Sequence, residues 1–205
     1  MKKSAIFKFI LIASSVIAAI LLWSKFLDKM EPEPYDGEAE GEIDPDLPYA
    51  RPGDILLFNR AKGMNRIITW FTKSPFYHVG IAMGDGKVVE ARIRGVVIRD
   101  LLGPDGDKRF EIVPAENVGG QEVALAAMEW ALTQVGDGYD PVNILGIILD
   151  RIFTCTTCSF TLPDRWSCGE FVTTAFYEAG EDLFPEYDVT TVVPADFALF
   201  LPEAS

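Results

Sequence analysis

An α+β fold, an antiparallel sheet packed with helices, is the class this sequence predicts, and two patterns predict it. Short β-rich runs cluster between residues 53 and 115, and capped, amphipathic helices follow Gly120. Strands gathered ahead of helices point away from alternating βαβ units. Length agrees, since residues 49–205 of the 205-residue chain suffice for one domain with its own core. The net charge of −13 would repel phosphate backbones, which excludes nucleic acid as a natural partner.

Residues 1–27 read as a targeting element. Lys2, Lys3 and Lys8 precede the apolar run Phe9 to Trp23, which Lys25 closes. Counted from Ala5, with Lys8 snorkelling toward the interface, the apolar stretch reaches about 19 residues, near the length a spanning helix needs. No small-x-small cleavage site follows it, so an uncleaved N-terminal transmembrane anchor is expected, with a removed signal peptide as the alternative. The leading lysines favour a cytoplasmic N-terminus and place the rest of the chain outside the cytoplasm, in the periplasm or at the cell surface. Residues 28–48 carry nine acids and four prolines and almost no large apolar side chain. Such a segment cannot offset the entropy of folding and reads as an extended, self-repelling tether.

The domain from residue 49 opens with GDILLF (53–58) as a strand and MNRIITWFTK (64–73) as a short helix. YHVGIAM (77–83) and KVVEARI (87–93) follow as a hairpin around Gly84-Asp85-Gly86, whose glycines tolerate positive φ. GVVIRDL (95–101) and FEIVPA (110–115) complete the strands. After Gly120 the period changes, and Leu125, Met128, Leu132 and Val135 mark one face of a helix. Asp140 and Pro141 supply the cap and first turn of the next helix.

Ser167-Cys168-Gly169-Glu170 carries the strongest local signal. Ser and Glu three apart at a helix start form a capping box, which places Cys168 in the first turn. Unpaired backbone N–H groups and the positive end of the helix dipole favour thiolate over thiol there, and can hold a developing oxyanion. Gly169 leaves the approach to those groups unobstructed. Phe171, Val172, Ala175, Phe176 and Ala179 share the face of Cys168, so the sulfur turns toward the body of the domain, and Gly180 ends the helix.

A thiolate nucleophile needs a base, and the chain holds one histidine, His78, at the start of the VGIAM run. Glu90, embedded in the apolar VVEA run, is the candidate partner of that imidazole. Side-chain parity decides its role. A three-residue loop at Gly84-Asp85-Gly86 places Glu90 on the face of His78, whereas a two-residue turn places it on the other face, as a solvated carboxylate.

Taken together, GDILLF, HVGIAMGDGKVVEA and SCGEF at a helix start resemble the permuted branch of the NlpC-type papain-like cysteine hydrolases. His78 precedes Cys168 by 90 residues, an order similar to the YiiX- and YaeF-like hydrolases and to the lecithin retinol acyltransferase relatives. The likeness covers most of residues 50–200, including a VVPADF segment near the end. It implies a circularly permuted papain-like domain behind an N-terminal membrane helix. It also implies Cys168 as nucleophile, His78 as base and Glu90 as the third polar residue, a position held by histidine in the acyltransferase relatives. Tyr139, in GDGYDP, falls where the branch has an aromatic near the site, and could help polarise the carbonyl.

Cys155-Thr-Thr-Cys158 is a C-x-x-C element that an oxidising compartment would close into a local disulfide, leaving Cys168 as the free thiol. A redox motif is an alternative, although no thioredoxin-like pattern surrounds it. A zinc site of Cys155, Cys158, Cys168 and His78 would consume both nucleophile and base, so neither metal nor cofactor is expected. The function expected is a membrane-tethered thiol hydrolase, a monomer, cleaving an amide such as that of a cell-wall peptide. A lipid acyl hydrolase or acyltransferase with the same triad, and a catalytically silent ligand-binding module, are the alternatives. The apolar PVNILGIILDRIF helix is the one hint of a lipid-lined wall.

Overall fold

Five short strands precede two longer helices along the chain: β1 (Ile55–Phe58), β2 (His78–Gly84), β3 (Lys87–Arg92), β4 (Gly95–Asp100), β5 (Phe110–Val113), α1 (Gln121–Thr133) and α2 (Cys168–Glu178). The structure, a computed structural model, describes residues 50–59, 69–70, 72–101, 110–144, 146–147 and 161–202. The membrane segment expected at 1–27, the tether at 28–48 and the Cys155–Cys158 pair lie outside these residues. So does most of the helix expected over 64–73, of which 69, 70 and 72 are helical. Among the described residues no helix is long and apolar enough to cross a membrane.

The strands form one antiparallel sheet in the order β4-β3-β2-β1-β5. One face carries Ile55, Leu57, Val79, Ile81, Val89, Ala91 and Val96, and packs with α1 and α2 into the main core. The alternate positions Leu56, Phe58, Ala82 and Val88 form a second cluster with Leu101 and Phe110. α2 is anchored by Phe171, Val172, Ala175 and Phe176, all fully buried. Each of the two phenylalanine rings contributes on the order of 1.5–3 kcal/mol, which outweighs the helix propensity of any single residue.

α1 corrects the expected stripe. Its buried residues are Ala124, Ala127 and Ala131, with Leu125, Met128 and Leu132 half-buried beside them. Val135 lies beyond the helix and is exposed. Close approach explains the preference for small residues, since a Cβ at Gly53 would stand 2.8 Å from the Ala124 backbone. A larger face would push the helix off the Gly53 backbone that leads into β1.

The β2–β3 hairpin decides where Glu90 points. Its turn is the two-residue Asp85-Gly86, with φ of 51° and 73°, and Gly84 pairs with Lys87. That turn alone would send Glu90 to the face away from His78. A bulge between Ala82 and Gly84 shifts the register by one residue, so that Ala82 pairs with Val88 and Ile81 with Val89. The extra residue restores the parity that a three-residue loop would have given, and His78 and Glu90 share a face.

Two shorter pieces complete the frame. β6 (Gly138–Tyr139) and β7 (Arg165–Trp166) form a parallel pair beside the β3–β4 hairpin. Between them Asp140 caps the following helical segment as expected, its Oδ1 accepting from the N–H groups of Val142 and Asn143 at 2.8 and 3.0 Å. Its Oδ2 accepts from Leu162 N–H at 2.7 Å, which ties the returning chain to the segment that leads into α2.

Candidate active site

Cys168 is the first residue of α2, as the Ser-Cys-Gly-Glu sequence predicts. Ser167 N–H donates to Glu170 Oε2 at 3.3 Å, one half of the expected capping box. Cys168 is a free thiol, nearly buried at 6% exposure and packed into the main core. Gly180, at φ +92°, ends the helix with its N–H donating to Tyr177 O.

His78 begins β2 at the rim of the sheet, with its ring 5.5 Å from that of Phe58 on β1. Cys168 stands close enough to the ring for its sulfur to raise the imidazole, which brings the α2 terminus to the sheet. Its Nε2 is held by Glu90 Oε2 at 2.8 Å, which leaves Nδ1 as the ring nitrogen for the thiol. The structure therefore brings Cys168, His78 and Glu90 together.

Glu90 is completely buried, which for a carboxylate demands compensation. Arg99 supplies it from β4, with Nε to Oε1 at 2.6 Å and Nη2 to Oε2 at 3.2 Å. The half-exposed Arg92 adds a longer contact to Oε1 at 3.5 Å. Burial alone would raise the Glu90 carboxyl, but the charges and hydrogen bonds of His78 and Arg99 outweigh it and hold the group well below the usual carboxylate range. For His78, burial pushes the imidazole down, while the Glu90 charge and the hydrogen bonds to Cys168 and Glu90 more than reverse this and raise it to about 9. At neutral pH the histidine is an imidazolium between the Cys168 sulfur and a carboxylate.

Gly80 makes room for this arrangement. A Cβ there would stand 2.7 Å from Val88 Cγ2 and 3.0 Å from Glu90 Cβ, so any side chain would displace the strand that carries the carboxylate. Gly169 answers a comparable demand on the other side. A Cβ at that position would lie 2.1 Å from the carbonyl oxygen of Val192, in the VVPADF segment. The glycine lets the first turn of α2 seat against this backbone, a packing reason beside the open approach expected of it.

Tyr139 stands in β6, half-buried beside the core. Burial, then negative charge at Cys168 and Asp140, pushes its phenol well above 10, so the O–H stays available to donate. Glu170 is buried at 6% exposure. Burial pushes its carboxyl up to about 7 against the hydrogen bond from the Ser167 backbone, and the charge of Asp140 adds to the rise.

Arg99 was missed in the sequence. Its signal lay in two apolar strands joined by a short turn, VVEAR and VVIRD, each carrying an embedded charge of opposite sign. Val88 pairs with Arg99 and Glu90 with Val97, so the two charges sit diagonally on one face. Among the described residues no group of three or more His, Cys, Asp and Glu is arranged to hold a metal ion. No protein-family model matches the chain, and no curated protein matches it significantly.

Proposed function

We propose that the chain is a thiol hydrolase, tethered to a membrane and acting outside the cytoplasm, that cleaves an amide bond through an acyl-thioester on Cys168. The observation that carries this reading is the line Cys168–His78–Glu90, with a buried carboxylate holding an imidazole that stands beside the Cys168 sulfur. A thiol that only packs has no need of an imidazolium beside it or of a buried acid behind that imidazolium. The tether and its address rest on the sequence of residues 1–48.

In the proposed reaction Cys168 attacks the carbonyl carbon as the thiolate of a thiolate–imidazolium pair with His78, a C–S bond forms, and the electron pair of the C=O moves onto oxygen. Backbone N–H groups of the first α2 turn and the Tyr139 O–H are the donors for that oxygen. As the tetrahedral intermediate collapses, the C–N bond breaks and His78 gives its proton to the leaving amine. Neutral His78 then takes a proton from water, whose oxygen attacks the thioester. The second tetrahedral intermediate collapses, the C–S bond breaks, the acid leaves, and the Cys168 thiolate and the His78 imidazolium are restored. Glu90 keeps the imidazole turned with one nitrogen toward the sulfur throughout.

Incubation of the full-length protein with muropeptides and, separately, with phospholipid vesicles, followed by mass spectrometry of the Cys168 peptide, tests the bond class. An acyl adduct from the peptides together with a released amine supports the amide reading. A fatty-acyl adduct from the vesicles alone replaces it with the lipid reading.

A further inference from the structure

We propose that Arg99 is a positioning residue of the site, holding Glu90 in the orientation and charge state that His78 requires. The inference rests on the reading of Cys168 and His78 as the catalytic pair. It starts from a problem that the triad alone leaves open. Glu90 is wholly buried, and His78 changes charge during the reaction. While His78 is an imidazolium it compensates the carboxylate, but once it has given its proton away the buried Glu90 would face a neutral ring. A carboxylate in that position draws a proton to itself, and the proton then sits on the wrong residue.

Arg99 removes the problem because its charge is permanent. Its side chain is only 13% exposed, it grips both Glu90 oxygens, and its guanidinium lies 5.2 Å over the Phe58 ring, which fixes the plane of the fork. Two donors into one carboxylate define its rotation, so Oε2 is aimed at His78 Nε2. Among the described residues several other groups face this cluster, including the Tyr77 ring stacked 6.2 Å from that of His78. Arg92 touches Glu90 from its own strand with a half-exposed side chain, β1 presents the apolar Phe58, and α2 presents Cys168 to His78. Beyond Cys168 stand Tyr139 and Asp140.

The sign of the effect follows from charge. The His78–Glu90 pair loses its last proton as one coupled unit, whichever residue carries it. Removing a fixed positive charge makes that proton harder to lose, so the titration moves to higher pH, by about one pH unit for a charge at this range and partial screening. A role in packing alone would leave it in place.

Since His78 is the sole histidine of the chain, imidazole NMR of the full-length protein reads this titration without a substrate. The parent is expected to titrate near 9, Arg99→Met about one pH unit higher, and Arg99→Lys, which keeps the charge but lacks the fork, near the parent. With p-nitrophenyl acetate as acyl donor, Arg99→Lys is expected to lose roughly tenfold or more in kcat with little change in KM, as misaimed catalytic groups do. Parental titration in Arg99→Met, or parental kcat in Arg99→Lys, overturns the proposal. Should Arg99→Met fail to fold, the kcat of Arg99→Lys still decides it. A parent protein in which Cys168 is never acylated sinks the catalytic reading instead, and the NMR titration separates that failure from this one.

Discussion

Glu90→Gln perturbs one charge and almost no volume. In the parent, the rise of the His78 pKa from 6.5 to about 9 amounts to about 3 kcal/mol of preference for the imidazolium, at roughly 1.4 kcal/mol per pH unit. Burial opposes that rise, and the Glu90 charge is the largest contribution in its favour. With glutamine in its place the imidazole is expected to titrate below 6.5 and to be neutral at pH 7. Stability changes with it. A base whose folded pKa is raised stabilises the fold fully below its unfolded value and loses that contribution as pH rises through the folded value. The parent therefore loses about 3 kcal/mol between pH 6.5 and pH 9 that the variant never had. The variant also leaves Arg99 buried against an uncharged amide, which costs about 3–5 kcal/mol more. Imidazole NMR measures the first effect and urea unfolding at pH 6, 7.5 and 9 the others. Titration of His78 near 9 in Glu90→Gln, or an unchanged pH slope of stability, refutes the reasoning.

Three further outcomes are expected. Gly169→Ala places a methyl 2.1 Å from the Val192 carbonyl oxygen, so it should lose about 3 kcal/mol of stability in urea unfolding, where an exposed helical glycine would gain from the same change. Glu170→Gln should be more stable than the parent at pH 8, by about 2–3 kcal/mol, and equal to it near pH 4.5. The reason is that a carboxyl raised by burial from 4.5 to about 7 destabilises the fold as pH climbs through that window, and equal stability at pH 8 would show that Glu170 is not the buried acid described. Cys168→Ala should keep the parental unfolding midpoint within about 1 kcal/mol while losing all acyl transfer, because alanine suits a helix start and the cavity is one sulfur.

The parts of this architecture that the sequence announced are those fixed locally. Ser167 and Glu170 bond within one helical turn, Asp140 caps the N–H groups two and three residues ahead, and the strand runs alternate regardless of what they pair with. Cys168 could be placed at a helix start for that reason. What stayed hidden depends on register between distant segments. The bulge between Ala82 and Gly84 carries no composition signal of its own, yet it decides which face Glu90 occupies. Arg99 reaches Glu90 only through the β3–β4 register, and Gly169 meets Val192 only once the chain end folds back on α2. The stripe Leu125, Met128, Leu132 and Val135 does not mark the buried face of α1, because close approach to Gly53 requires alanines there.

The central claim is that Cys168 is a nucleophile worked by His78. Acylation of the full-length protein by p-nitrophenyl acetate at pH 7, followed by intact mass and peptide mapping, tests it most directly. One acetyl group is expected on Cys168, none on Cys168→Ala, and acyl turnover lower by roughly 100-fold or more in His78→Ala. An acetyl group that maps elsewhere, or equal turnover with and without His78, contradicts it.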